Sequence, residues 1–362
     1  MNVVPSEAMA NHSNYSENSS SVSSICLPQY WKEPLGVMTV RLLFEVAVAS
    51  FGVLGNIAVF LVLSSRRSHV HMNSAMKTFV LNLAAADLCV LLLNFPLAVV
   101  NEQSPLQWLL GEFICLYIFP LCDVFYGVSI WSLMAVAIER YRIVNGTSLI
   151  RPNSAKALFI WLAILWIVPF FIIVFPLLLH MKYSAEHKQC YVRWSTNIFD
   201  SVPQLYTNTQ FIFWFLLPLF TICWTYCKIG KWITRSLRVQ LRPRSSTVDS
   251  DVDRSSPIIQ MQKNARIKQS SKAKRLLTPL VLVFVVTMTP TFAFRLLAVY
   301  VPNIICYRYS LVLYSCLIIL TVINSAINPA VYCVASREFR LGMKQILVRC
   351  LRNARLSIYR TR

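Results

Sequence analysis

Residues Leu311–Ser336 read LVLYSCLIILTVINSAINPAVYCVAS, 26 residues without one Asp, Glu, Lys or Arg. The hydrocarbon core of a bilayer is about 30 Å thick, and a helix rising about 1.5 Å per residue crosses it in about 20 apolar residues. A helix is also the form in which such a run satisfies its own N–H and C=O groups where no water reaches them. The run is therefore read as a transmembrane helix. Working outward, Val46–Leu63, Ala157–Leu179, Ser201–Cys227 and Leu276–Phe294 are equally free of charge, and Thr78–Val100 and Phe113–Ile138 hold one carboxylate each, Asp87 and Asp123. That makes seven spans and predicts an all-α membrane protein, a seven-transmembrane helix bundle.

The whole chain agrees. Of 362 residues, 56% are hydrophobic and 14% charged, too few charges to cover two or three soluble domains and too much apolar content for a solvated coil. Eleven Cys in this length are too sparse for a disulfide scaffold. The net charge of +20 comes from 35 Lys and Arg against 15 Asp and Glu. It is placed asymmetrically: Arg66, Arg67 and Lys77 follow span one; Arg140, Arg142, Arg151 and Lys156 follow span three; the segments after spans five and seven hold most of the rest. Basic residues stay on the cytoplasmic side of short loops, which puts the N-terminus outside and the C-terminus inside a plasma-membrane protein. The charge is thus a topology signal suited to anionic membrane lipid, and no nucleic-acid partner is expected.

The N-terminal segment, 1–37, carries three glycosylation sequons at Asn11, Asn14 and Asn18 and lacks the apolar core of a cleavable signal peptide, so span one is expected to act as its own anchor. The bundle occupies 38–335. Within it, about 235–274 is rich in Arg, Lys, Ser and Gln and reads as a flexible basic cytoplasmic loop, with Ser245, Ser246, Thr247, Ser250, Ser255 and Ser256 open to phosphorylation. Residues 336–362 read as a short amphipathic helix, Arg337 to Arg349, and a basic tail, with Cys350 a palmitoylation candidate.

Charged groups inside a membrane are costly and mark function. Here they are Glu45, Asp87, Asp123, Glu139 with Arg140, and Arg295. Together with Gly55-Asn56, Leu83-Ala84-Ala85-Ala86-Asp87, Cys115, Glu139-Arg140-Tyr141, Trp166, Pro218 with Tyr226, Phe284 with Pro290, and Asn328-Pro329-Ala330-Val331-Tyr332, the chain resembles a rhodopsin-like (class A) G-protein-coupled receptor across all seven spans. The resemblance implies an extracellular ligand, a heterotrimeric G protein, arrestin and receptor kinases as partners, and no enzyme activity.

It also implies roles for particular residues. Cys115 and Cys190 are both extracellular by the charge count, where a disulfide persists, and would pin the loop between spans four and five over the bundle mouth. Cys26 and Cys306 are the other two extracellular cysteines, and a second bridge between them is similar to one in several peptide and chemokine receptors. Asp87 with Ser129, Asn324, Ser325 and Asn328 matches the family's sodium pocket and implies an allosteric sodium ion; no cofactor is otherwise required. Glu139, Arg140, Tyr141, Tyr226 and Tyr332 match the G-protein coupling switch. The span-six acid that restrains the Arg in many members is Ser270 here, from which basal signalling is expected. Pro218, Ile130 and Phe284 match the packing switch, with Pro290 below it, but Met288 replaces the usual Trp.

Ligand-binding candidates at the mouth are Glu102, Cys122, Asp123, Tyr126, Gln210, Phe292, Arg295 and Tyr314, a mixture of both charge signs and aromatics that suits a peptide. Cys122 stands at the amine-receptor carboxylate position, with Asp123 about 100° round the helix, which disfavours a biogenic amine. Val322 stands where an opsin carries its retinal Lys. A small non-peptide ligand remains the alternative. A channel or transporter needs a continuous polar path or broken helices, whereas Asp87 and its neighbours form a closed cluster. An enzyme lacks the means: the five His sit outside the span cores with no metal-ligand spacing.

Overall fold

A computed structural model describes residues 33–65, 73–104, 107–145, 155–194, 201–241, 257–301, 304 and 307–360. Seven helices long and apolar enough to cross a membrane are found among them: α1 Leu35–Ser64, α2 Ser74–Gln103, α3 Gly111–Asn145, α4 Lys156–His180, α5 Val202–Arg235, α6 with its crossing part Thr278–Tyr300, and α7 Ser310–Ala335. They form a bundle with α3 at its centre, and an eighth helix, α8, follows at Arg337–Arg360.

Four helices carry a widened five-residue turn, at Val90–Asn94, Ile114–Ile118, Phe170–Val174 and Ile212–Leu216. Each ends two residues before a proline, namely Pro96, Pro120, Pro176 and Pro218. Proline lacks an N–H, and in an α-turn its ring collides with the carbonyl four residues earlier; one extra residue in the turn relieves the collision. The backbone N–H of Leu217 accordingly reaches back five residues to Ile212 O. In that register the next carbonyl, Phe213 O, faces Pro218 and has no backbone donor. Trp131 Nε1 on α3 supplies one at 3.1 Å, and the Trp131 and Phe213 rings stack.

Close helix approach depends on small residues where α1 meets α7. A Cβ built on Gly52 would lie 2.8 Å from Ala326 Cα, and one on Gly55 would lie 2.9 Å from the Pro329 ring. The main apolar core joins α2, α3, α5 and α6 through Phe79, Leu83, Tyr126, Ile130, Trp214, Phe284 and Phe292. Large apolar side chains such as Phe44, Leu54, Phe159, Phe171 and Phe220 stay exposed, as required of a face turned to lipid.

At one end of the bundle, β1 Met181–Ser184 and β2 Gln189–Val192 form an antiparallel hairpin between α4 and α5, in register Tyr183↔Cys190. A disulfide ties Cys190 to Cys115 on α3, with Cα atoms 5.7 Å apart, and Trp108, Leu177 and Met181 pack with it. At the other end Arg340 Nη1 donates to the last carbonyls of α7, Cys333 O at 2.8 Å and Val334 O at 3.1 Å, and Phe339 packs edge-on against Tyr332.

Several expected boundaries shift. α1 starts at Leu35, just before the expected bundle start at 38 and well before the charge-free run from Val46, and so contains Arg41 as well as Glu45. The chain read as a loop over 235–274 is helical at both ends, through Leu241 and again from Pro257, because its Gln-, Lys- and Arg-rich ends contain good helix formers and no interior Gly or Pro. α8 runs to Arg360 rather than Arg349. The hairpin was not anticipated at all.

Arg41 is the hub of a brace among α1, α2 and α7. Its Nε donates to Glu33 Oε2 at 3.1 Å, its Nη1 to Glu45 Oε1 at 2.8 Å, and its Nη2 pairs with Glu102 on α2. Ser315 Oγ on α7 also donates to Glu102 Oε1, at 2.8 Å. Removing the guanidinium leaves two buried carboxylates without a countercharge, a loss of about 3–5 kcal/mol when one partner of a buried pair is deleted. Arg41→Ala is therefore expected to lower surface display and the unfolding temperature in detergent, and adding Glu45→Gln and Glu102→Gln to it is expected to restore much of both.

Candidate ligand and coupling sites

Asp87 is fully buried at the centre of the bundle. Its Oδ1 accepts from Ser129 Oγ on α3 at 2.6 Å and its Oδ2 from Asn328 Nδ2 on α7 at 2.7 Å. The Ser325 hydroxyl is buried beside Asp87 and interacts with its carboxylate. Asn324 Oδ1 accepts from Thr287 Oγ1 on α6 at 3.4 Å, and Asn56 Nδ2 on α1 donates to Ser325 O at 3.2 Å. The sequence-derived set is thus spread over α2, α3 and α7, with Asp87, Ser129 and Asn328 directly bonded. Its oxygen atoms, those of Asp87, Ser129 and Ser325 foremost, are of the class that hard cations prefer.

Between this cluster and the hairpin end lies Met288, fully buried like Phe284. Tyr126 OH donates to Met288 Sδ at 2.6 Å, so the residue that replaces the expected Trp has a directed contact to α3 as well as soft packing. Ile130 and Phe284 are buried in the main core, and the Phe215 and Phe284 rings stack at 6.1 Å.

At the α8 end, Glu139 Oε1 accepts from Asn73 Nδ2 at 2.9 Å, and Asn73 Oδ1 in turn caps α2 by accepting from Met76 N at 2.7 Å. The acid next to Arg140 is therefore tied to the start of α2. Arg140 Nε and Tyr332 OH are buried without hydrogen-bond partners. Tyr226 OH is 3.4 Å from Thr278 Oγ1, and Tyr141 packs edge-on against Trp224. Ser270 lies on α6, with its side chain outside the described residues, as is that of Cys350. Asn11, Asn14, Asn18, Cys26 and Cys306 also fall outside them.

The mouth candidates separate into two groups. Glu102 sits with Arg41 and Ser315 on the α1, α2 and α7 side. Arg295 and Gln210 meet on the α5 and α6 side, where Arg295 Nη1 donates to Gln210 Oε1 at 3.0 Å and its guanidinium lies over the Phe292 ring. Gln210 Nε2 donates to Tyr206 OH at 2.9 Å, and Tyr206 OH donates to Ile173 O in the widened turn of α4 at 3.0 Å. Cys122 is buried, and its carbonyl accepts from Asn94 Nδ2 at 2.8 Å. Asp123 and Tyr314 are half-buried, and Asp123 enters no ion pair among the described residues. Sequence reading missed Arg41 and Tyr206. The Arg41 signal was present, an Arg four residues before an acid on one helix face, but a search for uncharged runs discards it.

Residues 55–332 match the family described as 7 transmembrane receptor (rhodopsin family). Opsin Rh2 of Drosophila melanogaster is 30% identical over 210 residues, 54% of this chain and 52% of the opsin, so the chain spans about half the length of that relative. Galanin receptor type 1 of Rattus norvegicus is 28% identical over 311 residues, 83% of this chain and 79% of the receptor. Substance-K receptor of Bos taurus is 25% identical over 341 residues, 92% of this chain and 80% of the receptor. With a family match over most of its length and seven membrane-crossing helices, the chain belongs to the rhodopsin family of seven-transmembrane receptors, which are signalling receptors and not enzymes.

Proposed function

We propose that this receptor binds an extracellular peptide at the hairpin end of the bundle and activates a heterotrimeric G protein at the α8 end, lying in the plasma membrane with its N-terminus outside. The observation that carries the peptide reading is the split mouth, with Glu102 and its acidic neighbours on one wall and Arg295 on the other, because a peptide offers several anchors of both signs along one chain. Likeness to galanin and substance-K receptors over most of the chain supports it. The orientation is supported by the Lys and Arg that concentrate after spans one, three, five and seven.

In this reading the peptide acts through its differential affinity for two states of the bundle, and the ligand-free receptor already samples the active one. The receptor breaks no bond itself; its α8 end, with Arg140, Tyr226 and Tyr332, opens to the G protein and promotes nucleotide exchange there. Arrestin and receptor kinases would use the same face. Asp87, Ser129, Asn324, Ser325 and Asn328 would hold a sodium ion, whose charge balances Asp87 and favours the inactive packing.

Three measurements test these statements. Screening a peptide library on cells that express the full chain with a G-protein dissociation reporter is expected to yield concentration-dependent activation; a library that activates known peptide receptors in parallel but never this one refutes the peptide reading. With Ser270 in place of an acid on α6, the unstimulated receptor is expected to signal above mock-transfected cells at matched surface expression, and equality refutes basal activity. Replacing N-methylglucamine chloride by sodium chloride at constant ionic strength is expected to raise the unfolding temperature of the purified receptor, with the effect lost in Asp87→Asn. A wild-type midpoint indifferent to the exchange removes the sodium site.

A further inference from the structure

Arg295 is 8% exposed, and its Nη2 is buried with no hydrogen-bond partner. The ion pairs of Arg41 lie on the other wall, and Arg295 enters none among the described residues. The phenols of Tyr126, Tyr206 and Tyr314 lie within its electrostatic reach, which turns it toward α3, α5 and α7 rather than toward lipid; Asp123 acts on the same three phenols without an ion pair to Arg295. Its one polar partner, Gln210, cannot do more. Ile173 O only accepts, so Tyr206 must give it its single proton; Gln210 Nε2 then fills the Tyr206 oxygen, and Gln210 Oε1 is left facing Nη1. The relay orients one arm of the guanidinium, leaves the other open and supplies no charge.

A buried guanidinium with no ion pair and a free N–H is a poor arrangement by itself and a good one for receiving a carboxylate, whose two oxygens match the planar fork. We propose that Arg295 is the docking point for a carboxylate carried by the ligand, which enters with that anionic group directed toward α5 and α6. The opposite wall enforces this direction. There Glu33, Glu45 and Glu102 share one guanidinium, and Glu45 Oε2 and Glu102 Oε2 are buried without partners, so an anion arriving on that side meets surplus negative charge. This rests on the ligand-receptor reading above and adds the chemistry of one anchor.

The test uses the purified full chain and a defined probe pair, N-acetyl-L-phenylalanine and its C-terminal amide, with sodium acetate as a third arm. At ten times its half-saturating concentration the acid is expected to raise the unfolding midpoint by about 2 °C, and the amide and acetate, at the same concentration and ionic strength, to leave it unmoved. Arg295→Gln is expected to abolish the response to the acid, and Arg295→Lys, which keeps the charge without the fork, to retain part of it. Gln210→Glu gives Arg295 an internal carboxylate; it is expected to raise the midpoint without any probe and to remove the acid response, which covers the case in which Arg295→Gln does not fold. Equal shifts with acid and amide, or an acid response that survives in Arg295→Gln or Gln210→Glu, overturn the proposal. An equal shift with acetate assigns Arg295 to a free small anion and overturns it as well.

The peptide screen separates this claim from the reading beneath it. Active peptides whose potency is unchanged when each carboxylate is replaced by an amide refute the anchor and leave the peptide reading intact. Acid-selective stabilisation by the probe with no active peptide refutes the peptide reading and leaves the anchor.

Discussion

Hydrocarbon offers no hydrogen bonds, so each polar group carried into it must find a partner within the protein. That constraint accounts for more of this structure than any single contact. It makes the seven apolar runs helical, and it turns each proline inside them into a local problem. Four of these are met by the widened turns before Pro96, Pro120, Pro176 and Pro218. The carbonyl left over before Pro218 is met by an indole on the neighbouring helix, which converts a defect in α5 into a cross-link to α3.

The same constraint sorts the charged side chains. Asp87 is bonded by Ser129 and Asn328 from two other helices, Glu139 by Asn73, and Arg41 gathers three carboxylates. Each of these ties helices together at a point where apolar packing alone would let them slide. The polar chain from the hairpin end to the α8 end is discontinuous, with Met288 and Phe284 buried between its parts.

Most of the fold was legible in the sequence, because seven long apolar runs, five without a charge and two with one carboxylate each, satisfy their backbones in a bilayer as helices. What was lost lay where charges cancel each other. The stretch holding Arg41 and Glu45 belongs to α1, yet a search for uncharged runs starts only at Val46 and so passes over Arg41 although the bundle was expected from 38. The hairpin was hidden because its strands are four residues long and carry no strong pattern. The residues of the Asp87 cluster were named from a resemblance, and the structure brings three of them into direct contact. The link between Tyr126 and Met288 was not legible, since nothing in a sequence tells which thioether a phenol will meet.

The relay from Ile173 through Tyr206 and Gln210 has a direction that no side chain in it chooses. A main-chain oxygen cannot give a proton, so it decides how the phenol points, which decides which face of the amide looks at α6, which in turn draws a cation there. In the proposed docking, the preference for an anionic group is thus inscribed in part in the backbone of α4, whose side chains take no part in the relay. Under that proposal, diversification toward new messengers begins with the posture of the Ile173 carbonyl, before any recognising side chain is exchanged.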